Sequence, residues 1–392
     1  MSEYILTERQ EFKDIINNKQ PKNNILLLKN YVTENNIKYK IINYDKKYLC
    51  SLSTFLYYGI YRSLILDEKN NVLCFSPVKT ISFEYFINKY PNKTEDIIAE
   101  EFIEGTMINL FYDKNINKWE ISTKKSVSAN VYFYKNLNSK SFNAMFYETL
   151  NYIDFNIEEI CDKKLCYSFV LQHPENRIVV PFKYPKLYLI DIYQIETKED
   201  IDKNKEIIVK TIFNWKNDKL SFPIHYTKWN NYNDLLEKYC SDTTSYETLG
   251  VIIKNIKTGE RCKIRNPEYL KVKELQGNIC DLEFRYLILR KQNKIEEYLK
   301  YFPENYESFL KYEKKINVFC VNLYNYYYDC FIKKIIKISN CIFKYKPHLY
   351  NLHNIYINEL KQKKLYINYK EIEKYINNID VELLMFSLKD IC

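Results

Sequence analysis

Few residues of this chain have the types and spacing that chemistry demands. Its four histidines are dispersed, and His173 sits in the turn-like QHPEN, so a histidine nucleophile has little support. The eleven cysteines form no C-x-x-C pair, and the nearest two are Cys161 and Cys166. They read as buried reduced thiols, and no metal site is expected. Glycine is scarce: Gly59, Gly105, Gly250, Gly259 and Gly277 are all there are. No Gly-rich phosphate loop can be built from them, which excludes a P-loop NTPase and a dinucleotide-binding fold. What is left is a compact Glu104-Gly105-Thr106 element and many lysines and arginines, with a net charge of +9. That balance permits an anionic partner such as RNA without demanding one.

The elements that must position these residues change character once. From about residue 55 to 275 strands dominate. YRSLILD (61–67) and VLCFSPV (72–78) flank the turn-like EKNN, and TMINLFYD (106–113) and KWEISTKK (118–125) flank KNIN. GVIIKNI (250–256) and ERCKIRN (260–266) flank Lys257-Thr258-Gly259, a third hairpin with glycine in its turn. CYSFVLQ (166–172), RIVVPF (177–182) and KLYLIDIYQI (186–195) read as further strands, and helices are expected over 140–153, 197–209 and 232–240. After Gly277 the period changes. Ile316, Phe319, Leu323, Tyr327 and Phe331 recur at three- and four-residue spacing, with Pro303 and Pro347 as breaks. Tyr326-Tyr327-Tyr328 reads as helix packing rather than a base-stacking platform.

A chain of 392 residues, 46% hydrophobic, has material for two cores. The expected fold class is α+β: an antiparallel-rich domain over 1–278 followed by an α-helical domain over 279–392. No apolar run approaches the roughly 18 residues that cross a bilayer. The segment MSEYILTERQEFKDI has no apolar signal core, so the sequence predicts a cytoplasmic protein without a membrane partner.

Six pieces occur in order over residues 60–275: YRSLILDEKNNVLCFSPVKTISFEYF (61–86), EFIEGT (101–106), TKKS (123–126), SFVLQHPENRIVVPF (168–182), LGVIIK (249–254) and KIR (263–265). Together they resemble the adenylyltransferase domain of the phage-type, tRNA-repair RNA ligases, within the covalent nucleotidyltransferase superfamily. The same blocks, with NLHNIYINELKQKKLY (351–366), also resemble ligase-like proteins of large DNA viruses. The resemblance implies that Arg62 and Lys79 take the basic positions of the upstream block. EFIEGT takes the place of K-x-D-G-S, with Glu104 for aspartate. Lys124 stands in S-K-G-S, Arg177 in P-x-N-R-I-V, Lys254 in E-G-x-V-x-K, and Lys263 and Arg265 in the final K-x-K.

Three chemical positions of the pattern have become apolar, while Glu104, Thr106 and Lys125 replace its aspartate, serine and glycine. Phe102 stands where the nucleophilic lysine would attack the α-phosphate of ATP. Val170 and Leu249 stand where glutamates would contact the ribose and hold the metal. The sequence therefore predicts a degenerate RNA-ligase-like protein that keeps a basic groove for nucleotide or RNA and requires no cofactor. ATP with Mg²⁺ enters only if the pocket persists. The basic set is Arg62, Lys79, Lys124, Arg177, Lys254, Lys263 and Arg265, with Glu104 beside it. Other readings stay open: an active ligase with a displaced lysine such as Lys79, or a scaffold with a filled pocket whose helical domain binds a protein partner. Residue by residue, Glu104 could be a tight strand entry, Lys79 a surface lysine and Arg177 a structural ion-pair residue.

Overall fold

The computed structural model describes residues 2–20, 24–132, 140–199, 205–279 and 281–389. They divide into two compact units, Met1–Lys271 and Val272–Cys392. The division falls inside the helix Pro267–Gln276.

The first unit holds three sheets among the described residues, and every pairing between named strands is antiparallel. The largest has seven strands. Its centre runs Lys186–Glu199, Leu165–Gln172, Thr106–Asp113 and Lys118–Thr123. A four-stranded sheet is built on Ile97–Glu101, Gly250–Asn255 and Arg261–Arg265, with His225–Tyr226 at its edge. A second four-stranded sheet comprises Leu26–Val32, Lys38–Tyr44, Leu64–Leu66 and Val72–Phe75. All three expected hairpins form, with Asn109↔Ser122, Leu64↔Phe75 and Ile252↔Lys263 in register.

Strand alternation decides what faces what. On Leu165–Gln172, Tyr167, Phe169 and Leu171 enter a core with Ile108, Leu110 and the helix Phe142–Tyr152. Val170 therefore points to the opposite face. On the smaller sheet, Ile97, Ala99, Val251, Ile253 and Cys262 pack beneath Phe86 and Leu235. That leaves Glu100, Ile252, Arg261 and Lys263 for the other side. Gly105 makes this approach possible: its φ is +149°, and a Cβ there would lie 2.6 Å from Val170 Cγ1.

Two expected elements are different. RIVVPF is not a strand; residues 177–182 form an irregular bend after the short 3-10 turn Pro174–Asn176. Its Val179 and Val180 N–H groups donate to the Glu104 carboxylate rather than to a neighbouring strand. The helix expected over 197–209 is replaced by the strands Lys186–Glu199 and Lys205–Ile212, with 200–204 outside the described residues. Ile207, Ile208 and Val209 are buried there, so β-branched packing overrides the charged, helix-like texture.

The second unit is helical among its described residues. Its longest helix, Tyr306–Tyr327, buries Phe309, Ile316, Phe319, Cys320, Leu323 and Tyr327 on one stripe. Tyr327 is buried and Tyr328 is exposed, as helix packing requires. Pro303 opens a 3-10 turn ahead of that helix, and Pro347 lies in the first turn of Lys346–Ile355, where proline costs no intrahelical bond. No helix among the described residues is long and apolar enough to cross a membrane.

Candidate nucleotide-binding site

The faces left free by the two sheet cores border a cavity of about 230 Å³. Met107, Val170 and Ile190 line it from the large sheet. Glu100, Glu101, Phe102, Ile252, Arg261 and Lys263 line it from the smaller one, and Tyr44, Lys46, Arg62, Lys79 and Lys124 also border it. Four predicted basic residues thus converge: Arg62, Lys79, Lys124 and Lys263. Lys124 projects from the two-residue turn joining Lys118–Thr123 to Ser126–Val127, where Thr123 pairs Ser126. Its amine lies 4.9 Å from the Tyr44 ring centre; the Lys79 amine lies 4.4 Å from that of Phe55, and the Lys263 amine 6.0 Å from that of Phe102.

The electrostatics are those of crowded like charges. Burial, with Arg62 and Lys46 next, pushes the Lys124 amine down to about 8. Lys263 keeps much of its side chain in solvent, yet desolvation of its surroundings, then Arg265 and Arg62, bring it to about 8 as well. Burial and Lys46 lower Lys79, and burial and Arg261 lower Arg62 to about 10.

The other predicted residues lie elsewhere. Lys254 is committed to a buried ion network, 2.6 Å from Glu100 and 3.5 Å from Asp191; the two carboxylates outweigh its burial and raise its pKa. Glu104 accepts from the Val179 and Val180 N–H groups at 2.9 and 3.1 Å. Burial raises its pKa, while these bonds and the nearby Tyr269 phenol hold it down. Arg177 Nε donates to the Val179 carbonyl at 2.9 Å, in the same bend. Neither Arg177 nor Arg265 lines the cavity.

Phe102 continues the strand pairing, its N–H donating to the Gly250 carbonyl at 3.1 Å. Its side chain lines the cationic cavity together with Val170, and a second cavity of about 780 Å³ together with Leu249. Phe102 thus borders both cavities, Val170 only the first and Leu249 only the second. The three apolar positions do not close into one filled core.

Sequence reasoning missed Tyr44, Lys46, Glu100 and Arg261. Arg261, Lys263 and Arg265 stand at i, i+2 and i+4 of one strand, so alternation alone had the signal for Arg261. Its Nη2 donates to the Val78 carbonyl at 2.7 Å. Lys46 comes from a 3-10 turn of the far N-terminal sheet, and nothing in its local pattern marks it.

No family model matches the chain. It is 25% identical over 243 residues to an RNA ligase of Rhodothermus phage RM378, covering 54% of this chain and 53% of that protein. It is 27% identical over 298 residues to an immediate-early protein ICP-46 homolog of Invertebrate iridescent virus 6, covering 72% of this chain and 62% of that one. The chain thus spans less than two thirds of either relative. Among solved structures, Naegleria gruberi RNA ligase with PPi aligns at a TM-score of 0.33 and 11% identity, covering 50% of this chain and 57% of that one. An apo form of an RNA ligase from that organism aligns at 0.32 and 10%, covering 69% and 84%. With six motif blocks in order, one sequence match to a phage RNA ligase and another to an iridescent-virus immediate-early protein homolog, the chain is RNA-ligase-like in sequence and its sequence relatives are viral.

Proposed function

We propose that the N-terminal unit binds the phosphates of a nucleotide or an RNA end in the cationic cavity and forms no lysyl-nucleotide. One observation carries this reading. A phenyl ring stands where the resemblance expects the nucleophile, while Lys46, Arg62, Lys79, Lys124 and Lys263 still surround an open space. A carbon ring cannot attack phosphorus, yet the cations can still hold a phosphate by charge-assisted hydrogen bonds. A scaffold with a closed pocket is disfavoured by the cavity of about 230 Å³ between Phe102 and Val170. The viral relatives fit a role in the cytoplasm of an infected cell, with the helical unit free to engage a protein partner.

The test is incubation with labelled ATP or GTP and Mg²⁺ or Mn²⁺, followed by denaturation. The chain should stay unlabelled and should retain non-covalent binding of the same nucleotide. A second reading, a displaced nucleophile, draws on the amines of Lys124 and Lys263. At about 8 they are partly neutral near physiological pH, as an attacking amine must be. An acid-labile adduct mapped to either lysine would establish that reading in place of the first.

A further inference from the structure

The family resemblance brings a divalent metal with the nucleotide, and the residues present do not fit one. A hard cation needs several oxygen ligands. Val170 and Leu249 offer none in their side chains. Of the two carboxylates lining the cavity, Glu100 is engaged by the Lys254 ammonium at 2.6 Å. That ammonium also lies 3.5 Å from Asp191, whose other oxygen faces Arg261 at 3.4 Å, so protein cations already fill the seat between these carboxylates. Glu101 faces the Ile224 N–H at 3.4 Å, with burial raising its pKa. Among the described residues no three His, Cys, Asp or Glu side chains come together as a metal site.

The cavity has an excess of the opposite kind. Lys46, Arg62, Lys79, Lys124 and Lys263 line it, and among the described residues none of the five has a carboxylate within ion-pair distance. A single phosphate carries roughly two negative charges, less than half of what these side chains present. A chain of three phosphates comes close to matching them. In a metal-dependent site Mg²⁺ would screen that chain; here ammonium and guanidinium groups stand around the space instead.

Resting on the phosphate-binding reading above, we infer that the cavity takes a polyphosphate chain of three or more phosphates, without a divalent metal. The chain could be inorganic, part of a nucleoside triphosphate, or the 5′ end of an RNA. The recognising chemistry is the same in each.

The experiment is calorimetric titration of the whole protein with inorganic tripolyphosphate, in EDTA and then in Mg²⁺, with orthophosphate as comparison. Tripolyphosphate should bind in EDTA at least as tightly as in Mg²⁺, and orthophosphate more weakly by about 100-fold, as the loss of two or more charge-assisted contacts implies. Lys46→Ala and Lys79→Ala, each with an unchanged melting profile, should each weaken tripolyphosphate by about tenfold. Parallel titrations with ATP and with 5′-triphosphorylated and 5′-monophosphorylated oligoribonucleotides identify the carrier. If triphosphate ligands bind only when Mg²⁺ or Mn²⁺ is added, the metal-free inference is overturned and the proposed function stands. Orthophosphate binding as tightly as tripolyphosphate overturns it as well. If no phosphate ligand binds under either condition, both fail.

Discussion

Two clusters, one in each unit, treat buried and half-buried polar groups in opposite ways. In the helical unit His348 is fully buried, yet both ring nitrogens are partnered, Nδ1 with the Tyr375 hydroxyl at 2.8 Å and Nε2 with the Ser387 hydroxyl at 2.7 Å. Lys315 meets Glu283 at 2.8 Å. In the strand-rich unit, Lys124 and Lys263 border a cavity with like charges for neighbours. Satisfied groups of the first kind hold a fold together. Uncompensated charge beside an open space costs folding free energy, which an anionic guest would recover, so under the proposed function the contrast separates a structural cluster from a binding one.

The largest effect should come from reversing charge on the binding side. Lys124→Glu with Lys263→Glu should weaken nucleotide or single-stranded RNA binding by about 100-fold or more, since each removes a charge-assisted contact and adds a repulsion. Lys344→Glu with Lys346→Glu, in the helical unit, should change it by no more than about twofold. Equal losses in a filter-binding assay would move the site off the cavity and dissolve the contrast.

Acid should then single out the helical unit. Burial pulls the His348 imidazole down to about 4 from its ordinary 6.5. The unfolded chain therefore takes up a proton that the folded unit refuses. The neutral ring's contribution is complete above pH 6.5 and is lost as pH falls toward 4, by roughly 3 kcal/mol. Helical circular dichroism followed through thermal melts over that range should show the loss, and His348→Gln, though less stable at neutral pH, should show a flatter profile. A wild-type profile with no slope between pH 6.5 and 4 would mean that His348 is not held neutral.

A third effect, of about 1–3 kcal/mol, concerns the nucleophile position. Phe102→Lys adds another amine to a cavity already rich in cations, so it should destabilise. Adding Val170→Glu, on the same cavity, should return part of the loss beyond additivity. Chemical denaturation of the single and double variants measures that coupling, and strict additivity would show that the two side chains do not share a space.

The smallest effect is alkaline. Lys124 and Lys263 sit at about 8 in the folded chain against an ordinary 10.5. The cost of keeping them charged, burial first and then repulsion, is at full strength below pH 8 and is relieved as pH rises from about 8 to 10.5, so they should make stability climb over that range. Solvent screening keeps the gain below about 1 kcal/mol. The Lys124→Met and Lys263→Met double variant should lose this climb and start from a higher melting temperature at pH 7.

Much of this was legible from residue types alone. The turn chemistry of EKNN, KNIN and KTG placed three hairpins, because local backbone preferences act over a few residues. Apolar spacing placed the long helix Tyr306–Tyr327, and the ordered blocks singled out Phe102, Val170 and Leu249, which the structure sets on the walls of two cavities. Tertiary structure decided the rest. Whether Arg177 faces a ligand or a carbonyl, and whether Glu104 serves a nucleotide or the Val179 and Val180 amides, depends on which strand ends meet. The same holds for Lys254, whose partners Glu100 and Asp191 lie far apart along the chain, and for Lys46, which reaches the cavity from another sheet. Residue type sets which charges exist and local pattern sets which face of a strand they take. Only the packing of one sheet face over another determines which of those charges are paired and which are left to bind.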